Sequence, residues 1–270
     1  MLLTSRDNRL IKEGRRLLAD SRYRRESGRF LIEGARLCAD AALSGVPIEA
    51  ALATPRAEEA YARQTAAIRE ALRRGAREDR FFTITDELAR HLADTASPQG
   101  IFCLCGRLDN RRSLDTMNRM GKYMALEDMQ DPANLGAVVR TAEALGVDGL
   151  LLSDGCCDIT NPKVLRGSMG GVFRLPLYPA GNMADAVASL QKEGMTAWAC
   201  VVSPEATPVH RAALGPGSIC VIGNEGGGLR PETVAACRER LTIVMPGRAE
   251  SLNASMAAGI ILWELTRPAG

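Results

Sequence analysis

The 270-residue sequence contains little lysine, histidine or aromatic side chain. Only four of its 34 basic residues are lysines, and its two histidines are His91 and His210. Catalytic pairs and triads that use histidine as the base have few candidate residues here, which disfavours hydrolase chemistry. Aromatic residues form 4% of the chain, so we expect an aliphatic, alanine-rich core. The net charge is only +2, because 32 acidic residues nearly balance the basic ones.

Long apolar runs and a secretion signal are also missing. The longest apolar runs, such as Ile260 to Trp263, are far shorter than the roughly 20 residues that span a bilayer. The first residues, MLLTSRDNRL, contain no basic segment followed by an apolar one, so we expect no signal peptide. These absences predict a cytoplasmic protein that has no membrane partner.

The eight cysteines show no C-x-x-C spacing, and neither histidine lies at the sequence spacing from them that is usual for zinc ligands, so we expect no metal site. Most of them lie in apolar runs, where a reduced thiol behaves as a small buried hydrophobic group. The cysteines are Cys38, Cys103, Cys105, Cys156, Cys157, Cys200, Cys220 and Cys237.

Helical and extended patterns alternate up to residue 105 and predict a small α/β domain over residues 1–105. Leucines at positions 10, 17 and 18 share one face of a first helix, which the possible cap Ser5 precedes. Extended runs are predicted at Phe30–Glu33, Ile48–Ala53, Arg80–Thr85 and Gly100–Cys105, with a charged helix over Arg56–Arg74. Residues 106–121 are polar and aperiodic, which indicates a linker.

A second α/β pattern fills residues 122–270. Several of its strands are continuously apolar, which is typical of a parallel sheet covered by helices on both faces. Strands are predicted at YMALEDM, GLLLS, RLPLY, TAWACVV, SICVIG and LTIVMPG, and helices near residues 134–145, 183–192 and 251–265. Ligands of such sheets bind at the carboxyl ends of the strands, so we examine the loops that follow them.

Three of these loops have unusual composition. In the first, Asp131 to Asn134 form a turn whose asparagine can cap the next helix, and Arg140 lies six residues further on. In the second, Gly223 and Gly226 to Gly228 follow a buried strand, but their spacing matches neither the phosphate loop nor the dinucleotide fingerprint. An ordinary cap with a solvated arginine, and a simple strand-to-helix corner, explain these two loops equally well.

The third loop lies between a strand that ends in Met245-Pro246-Gly247 and the last helix. Ser251 can cap this helix, which is apolar on almost every side. A helix of this kind is buried within its domain or in an oligomer interface. An ordinary connection between strand and helix is the alternative interpretation of the loop.

Together the loops are far more specific than any one alone. LEDMQDPANLGAVVRTAEALG, CVIGNEGGGL and IVMPGRAESLNASMAAGIILWEL closely resemble, in this order, the three signature motifs of the SpoU (TrmH-like) RNA 2′-O-ribose methyltransferases of the SPOUT class. NPKVLRGSMGGVFRLPL is similar to the family's segment between the first two motifs. The amino-terminal TSRDNRLIKEGRRLLADSRYRRESGRFLIEGARL resembles the substrate-binding extension of many members, which folds like ribosomal protein L30e.

The resemblance implies a carboxyl-terminal α/β domain with a deep trefoil knot that binds S-adenosylmethionine and forms a homodimer. It implies structured RNA as the partner, with ribosomal RNA favoured and transfer RNA the alternative. The implied catalytic residues are Arg140, Asn134, Glu225, Ser251 and Asn253. The implied cofactor-binding residues are Gly223, Asn224, Glu225, Gly226, Ile243, Met245, Ser251, Leu252 and Asn253.

Methyl transfer to a ribose hydroxyl needs alignment of the two reactants and removal of a proton, yet the motifs contain no histidine or lysine. The family proposal makes Arg140 the base, helped by an RNA phosphate. A guanidinium stays protonated up to about pH 12, so clamping the phosphate is the alternative role. A non-catalytic RNA-binding or ribosome-assembly protein, and a nucleotide-dependent enzyme such as a dehydrogenase, are the alternative functions.

The nearly neutral total conceals an uneven distribution of charge. Residues 1–30 hold nine basic and four acidic residues, whereas the remaining 240 hold 25 and 28. We therefore expect Arg22, Arg24, Arg25 and Arg29 to contact RNA together with Arg140, and a second basic cluster at Arg107, Arg111 and Arg112. A solvated basic helix face is the alternative interpretation.

Overall fold

The chain forms two compact units in a computed structural model that describes residues 1–267. The amino-terminal unit comprises residues 1–109 and 158–173, and the carboxyl-terminal unit comprises residues 110–157 and the chain from residue 174 onward. The sequence analysis placed residues 158–173 in the second domain, whereas here they pack with the first unit. Residues 268–270, the end of the predicted second domain, lie outside the described part.

A five-stranded mixed sheet forms the centre of the amino-terminal unit. Its strands are β1 (Leu2–Leu3), β2 (Phe30–Glu33), β3 (Ile48–Ala53), β4 (Phe81–Ile84) and β5 (Ile101–Cys105). They lie in the order β1-β4-β3-β5-β2, with β1, β4 and β3 parallel and β5 antiparallel to both of its neighbours. Every residue of β5 is buried, as its continuously apolar sequence predicts.

Six helices accompany these strands along the chain. They are α1 (Arg9–Ala19), α2 (Ser21–Ser27), α3 (Ala35–Leu43), α4 (Pro55–Ala60), α5 (Ala62–Arg74) and α6 (Asp86–Leu92). Asn8, rather than Ser5, caps α1, because its side-chain oxygen accepts a hydrogen bond from the backbone N–H of Leu10 at 2.9 Å. The single helix predicted over Arg56–Arg74 is in fact two helices, which meet at Tyr61.

Arg24 is buried in the amino-terminal unit, with 2% of its side chain exposed. Its Nε lies 2.6 Å from Oδ2 of Asp158, and its Nη1 donates to the carbonyl oxygens of Leu17 and Leu18 at 2.7 and 3.2 Å. The pair attaches the segment 158–173 to the carbonyl end of α1. The prediction that Arg24 contacts RNA is therefore wrong, because every part of its guanidinium is enclosed by protein.

Seven parallel strands form the sheet of the carboxyl-terminal unit. They are β6 (Tyr123–Leu126), β7 (Gly149–Ser153), β8 (Leu177–Gly181), β9 (Thr196–Cys200), β10 (Thr207–Pro208), β11 (Ser218–Ile222) and β12 (Glu239–Thr242). Their order is β10-β12-β9-β11-β6-β7-β8, and every neighbouring pair is parallel. This sheet, flanked by helices, confirms the predicted α/β class.

The remaining helices are α7 (Pro132–Leu145), α8 (Pro162–Gly167), α9 (Met183–Lys192), α10 (Pro231–Ala236) and α11 (Ala254–Thr266). α8 belongs to the amino-terminal unit. In the carboxyl-terminal unit α7 packs on α11 and α9 packs on α10. The trefoil knot and the likeness to L30e stay predictions. Within residues 1–267, every helix is too short or too polar to cross a lipid bilayer.

Candidate functional site

The first two loops leave neighbouring strands of the parallel sheet. β6 pairs with β11 so that Leu126 lies opposite Ile222, the last residue of each strand. From β6 the chain builds β7 and β8 on one side, and then continues with β9 on the other side of β11. Such a reversal opens a crevice at the carboxyl ends of the strands, where ligands of open α/β sheets bind.

Asn134 joins all three loops. Its Nδ2 donates to Oε1 of Glu225 at 3.1 Å, and its Oδ1 accepts from Nδ2 of Asn253 at 3.0 Å. Asn134 does not cap α7: Asp131 does, by accepting from the N–H of Ala133 at 2.9 Å, and the helix begins at Pro132. The asparagine therefore lies in the first helical turn, where its buried amide is free to connect the second and third motifs.

Glu225 is held as a carboxylate by this connection. Besides Asn134, the backbone N–H groups of Asp131 and Gln130 point at its oxygens at 3.3 and 3.4 Å. Partial burial favours the neutral acid, but the hydrogen bonds from Asn134 and from these backbone groups outweigh it, so the pKa of Glu225 is lower than that of a free glutamate. The site thus contains a fixed negative charge at neutral pH.

Asn253 begins the last helix. Its Oδ1 accepts from the N–H groups of Ser255 and Met256 at 2.9 and 3.3 Å, which makes it the cap that the sequence analysis assigned to Ser251. Ser251 lies two residues before it, exposed and without a hydrogen bond to another residue in 1–267. Capping uses only the side-chain oxygen of Asn253. The hydrogen bond from its Nδ2 to Asn134 is an additional contact that capping does not require.

The glycine-rich loop is closed on itself by its own asparagine. The backbones of Asn224 and Gly228 exchange hydrogen bonds of 2.9 and 3.0 Å, and the Asn224 side chain accepts from the N–H groups of Gly226 and Gly227 at 2.8 and 3.2 Å. A Cβ on Gly223 would lie 2.1 Å from the carbonyl carbon of Gly228, so only glycine fits there. The loop is rigid at its base and presents bare backbone to solvent at its tip.

Two acidic residues that the sequence analysis missed fasten this loop to the first motif. Glu127, 1% exposed, accepts from the N–H of Arg230 at 2.8 Å and from the hydroxyl of Thr233 at 2.5 Å. Asp128 has a left-handed backbone (φ 53°), pairs with Arg230 and accepts from Nδ2 of Asn224 through its carbonyl. A carboxylate directly after a buried strand is the signal that would have identified Glu127.

An apolar cavity of about 100 Å³ opens beside the third loop. Its lining includes four of the predicted cofactor residues, Ile243, Met245, Ser251 and Leu252, and also residues that were not predicted, among them 200–202. No backbone hydrogen bond ties residues 244–252 to the rest of the described chain, so their N–H and C=O groups remain available. An apolar slot with free backbone polar groups at its rim suits a flat heterocycle.

Arg140 is exposed on α7 and has no hydrogen bond or ion pair with any residue in the described range. Other arginines of the carboxyl-terminal unit, among them Arg119 and Arg230, are bound to carboxylates. A free guanidinium is available to an external anion, and bidentate binding of phosphate is its characteristic interaction.

Among the predicted RNA-binding cations of the amino-terminal arm, one is unpaired. Arg29 lies 2.7 Å from Glu13 and 2.9 Å from Glu49, and Arg22 pairs with an acid four residues along its own helix. Arg25 is exposed and has no such partner within residues 1–267. The structure therefore separates cations that the charge count treated as equal.

The cysteines lie mainly in the cores of the two units, as the apolar runs predict. Burial raises the pKa of Cys237 to about 12, so its thiol is protonated at neutral pH. No group of three or more histidine, cysteine and acidic side chains in residues 1–267 is arranged to hold a metal ion.

Fold and site together define a class of protein: an α/β protein with a locked polar site at the carboxyl ends of a parallel sheet. A model of the SpoU rRNA Methylase family matches residues 121–263, more than half of the chain, and a model of the MRM3-like substrate binding domain matches residues 8–103. The chain belongs to the SpoU rRNA methylase family.

Similar proteins cover almost the whole length. The 23S rRNA (guanosine(2553)-2'-O)-methyltransferase RlmP of Bacillus subtilis is 27% identical over 264 residues, which are 97% of this chain and 98% of the relative. An uncharacterised tRNA/rRNA methyltransferase of Synechocystis is 29% identical over 98% of this chain and 93% of its own. A crystal structure of the AdoMet-bound rRNA methyltransferase from Sinorhizobium meliloti has a TM-score of 0.83 at 26% identity, covering 98% and 97% of the chains.

Proposed function

We propose that this protein transfers a methyl group from S-adenosylmethionine to a ribose 2′-hydroxyl of ribosomal RNA. The observation that carries the proposal is the hydrogen-bonded chain Glu225–Asn134–Asn253, which joins the three motifs beside the apolar cavity. A relative of nearly equal length is named as a methyltransferase of 23S ribosomal RNA, and a solved structure of similar fold is named for its bound AdoMet.

The residues present fit this cofactor. The apolar cavity at Ile243, Met245 and Leu252 would take the adenine ring, and the unbonded backbone of residues 244–252 would provide its polar contacts. The exposed tip of the glycine-rich loop leaves room for the rest of the molecule, because Gly226 and Gly227 place no side chain there. The fixed negative charge of Glu225 would favour a ligand that carries a positive sulfonium group.

When bound, S-adenosylmethionine supplies a methyl group whose bond to sulfur breaks, with the electron pair passing to sulfur, as the ribose oxygen forms the new C–O bond. Asn134 and Asn253, which fix one another, orient the ribose. Arg140 clamps the neighbouring phosphate, because its guanidinium has no carboxylate partner among the described residues and is free to bind an anion. The hydroxyl proton passes to water at the open site.

The experiment that tests this proposal follows the methyl group. The protein is incubated with tritiated S-adenosylmethionine and, separately, with unmodified transcripts of large-subunit ribosomal RNA, small-subunit ribosomal RNA and transfer RNA. A methylated 2′-oxygen cannot attack the next phosphate, so label on ribose survives alkaline hydrolysis in dinucleotides. We expect alkali-stable label from ribosomal RNA. Label that alkali releases in mononucleotides, which indicates methylated bases, or no label in any RNA would contradict the proposal, whereas label in transfer RNA alone would correct its substrate.

A control variant separates chemistry from cofactor binding. Asn134→Ala removes the amide that joins the motifs, so we expect the methyl transfer rate to fall at least tenfold while the protein still melts cooperatively. Leu252→Ala changes only the cavity wall, so we expect weaker S-adenosylmethionine binding by calorimetry and a smaller loss of rate at saturating cofactor.

We further propose that two copies pair through α11. Met256, Ile260 and Trp263 follow one another at helical spacing and are 63%, 37% and 60% exposed, which is unusual for large apolar side chains on one face. Light scattering should give twice the chain mass of 29.0 kDa, and Trp263→Glu with Met256→Glu should shift it toward one chain mass. A single chain mass for the unaltered protein would refute the pairing.

A further inference from the structure

A second cavity lies far along the chain from the proposed methyl-transfer residues, within the amino-terminal unit. It encloses about 540 Å³ where the parallel strands β3 and β4 end. We call it the Tyr61 cavity, and its wall is formed by Thr54, Arg56, Ala57, Ala60, Tyr61, Asp86, Ala89, Arg90 and residues 96–100. Its volume falls within the range of about 300–1,000 Å³ that is typical of sites for small ligands.

Small residues keep this space open. Ala57 and Ala89 are buried at its base, and Gly100 closes the floor. Gly100 has a φ of +76°, and a Cβ there would lie 2.8 Å from Oγ1 of Thr54, so only glycine is accommodated. The cavity is therefore a consequence of the sequence at several separate positions, rather than a gap between mobile side chains.

The charged groups of the wall favour an anion. Arg56 and Arg90 are both exposed, and neither has a hydrogen bond or ion pair with any residue between 1 and 267. Many other arginines of this unit are paired: Arg6, Arg69 and Arg73 each lie within 2.7 Å of a glutamate. The wall also contains one carboxylate, Asp86, so two free guanidinium groups outnumber it.

The wall also offers an aromatic surface and amide groups. Tyr61 stands at the break between α4 and α5, half-buried, where its ring borders the cavity. Gln99 accepts from the N–H of Ala35 through its side-chain oxygen, so its amide N–H₂ is fixed in place with the cavity beside it. Aromatic faces stack on nucleic-acid bases, and amide groups bond to base edges.

We propose that the Tyr61 cavity binds one unpaired nucleotide of the RNA substrate, with the base on Tyr61 and its phosphate between Arg56 and Arg90. The proposal rests on the proposed function, since it takes RNA as the substrate. A ring, two free cations and an amide are the set of groups that a nucleoside monophosphate requires. Within an RNA strand its phosphate bears one negative charge, so the two arginines favour it over an uncharged ligand.

The test measures the binding of a fluorescein-labelled, single-stranded, mixed-sequence 12-nucleotide RNA to the full-length protein between 50 and 300 mM KCl. The double variant Arg56→Gln/Arg90→Gln should raise Kd about tenfold and reduce the slope of log Kd against log salt by about 0.7, the contribution of one neutralised phosphate in a single strand. Arg63→Gln/Arg77→Gln is the matched control. It removes two exposed arginines of the same unit that lie outside the cavity and have no ion pair with a described residue. We expect less than a threefold change for the control.

Stacking is tested separately. Tyr61→Leu should raise Kd about five- to tenfold without altering the salt slope, because it removes a ring and no charge, and Tyr61→Phe should bind like the unaltered protein. Affinity for S-adenosylmethionine and the melting temperature should be unchanged in all variants. Equal losses in both double arginine variants, or an unaffected Tyr61→Leu, would overturn the proposal.

Two further measurements separate the possible causes of failure. GMP should compete with the oligonucleotide only at millimolar concentration, and micromolar GMP binding that persists with RNA present would identify a site for a free nucleotide and refute the RNA assignment. If the protein methylates no RNA but the cavity variants still weaken oligonucleotide binding, the proposed function fails and this inference stands. If it methylates ribosomal RNA and the cavity variants bind like the control, only the inference fails.

Discussion

Arg24 in the amino-terminal unit and Arg140 in the carboxyl-terminal unit have the same side chain in opposite surroundings. Arg24 is buried, with its charge matched by Asp158 at 2.6 Å and its remaining N–H groups directed at backbone carbonyls. Arg140 is exposed and has no such partner in the described range. The first holds a chain segment in place, whereas the second is available to a ligand.

This difference shows what a count of charges conceals. The amino-terminal excess of cations is real, but its members divide into one buried residue, paired residues and free ones. Only a cation without an internal partner can give its full charge to RNA, because a paired one must first release its carboxylate. Pairing and exposure therefore locate candidate RNA contacts better than sequence clustering does.

The largest effect is expected from Arg24→Met. It leaves Asp158 as a buried charge without its partner, and breaking one side of a buried pair costs about 3–5 kcal/mol. We expect the free energy of unfolding of the amino-terminal unit, measured by urea denaturation, to fall by about that amount. Arg22→Met, which removes an exposed pair on the same helix, should leave it unchanged within error. Equal, small effects of both substitutions would show that Arg24 is not a structural residue.

The opposite outcome is expected for Arg140→Ala. Stability should be unchanged, because this side chain has no partner among the described residues. The methyl transfer rate should fall about 10²–10³-fold, the loss typical of removing one positioned donor at a reacting centre. Thermal melting and steady-state kinetics with saturating cofactor measure the two properties side by side.

Arg140→Lys sharpens the test, since it keeps the charge but loses the bidentate geometry. A phosphate clamp predicts partial activity for this variant and a raised KM for RNA. Wild-type turnover in Arg140→Ala, with unchanged affinity for the cofactor, would show that Arg140 has no role in methyl transfer.

Much of the fold follows from local pattern. β2 and β3 begin and end where their apolar runs do, and apolar runs indicated six of the seven parallel strands. β10 was not predicted, and the run LTIVMPG overlaps only the end of β12. Helix starts were less predictable, because several capping residues stood close together. Asp131 and Asn253, rather than Asn134 and Ser251, proved to be the caps. Which of two nearby residues caps a helix depends on whether tertiary contacts engage the side chain of the other, and these contacts are not visible in the local sequence.

The site was predictable only in part. The resemblance indicated Asn134, Glu225 and Asn253, and in the structure Asn134 is hydrogen-bonded to each of the other two. Glu127 directly follows a buried strand, but its partners Arg230 and Thr233 lie about a hundred residues further along the chain, so these contacts could not be predicted from local sequence. The burial of Arg24 was missed for the same reason, since Asp158 is 134 residues away.

Asn134→Asp is expected to have an intermediate effect. It replaces the amide that donates to Glu225 with a second carboxylate, so two like charges meet where a hydrogen bond stood. We expect kcat/KM for methyl transfer to fall about 10- to 100-fold at pH 8, because hydrogen bonds to charged groups are worth about 1.5–3 kcal/mol.

The activity of Asn134→Asp relative to the unaltered protein should rise as the pH falls. In the unaltered protein hydrogen bonds already lower the pKa of Glu225, so its carboxylate stays ionised when the pH is lowered from 8 to 6. In Asn134→Asp the like charges raise the pKa of the pair, so lowering the pH from 8 to 6 should protonate one acid and restore part of the lost activity. A variant whose relative activity falls or stays constant over this range would contradict the repulsion.

The smallest effect is expected on RNA affinity, when two neighbouring arginines of α2 are replaced in turn. Arg25 has no partner in the described range, whereas Arg22 lies 2.7 Å from Glu26. Arg25→Gln should therefore weaken binding of a ribosomal RNA transcript about threefold and slightly flatten its salt dependence, as the loss of one phosphate contact does. Arg22→Gln should change it less, because Glu26 already neutralises that charge, and Arg22→Gln/Glu26→Gln should match the unaltered protein. If Arg22→Gln weakened binding as much as Arg25→Gln, internal pairing would not distinguish the cations that contact RNA, and net charge alone would account for the amino-terminal unit.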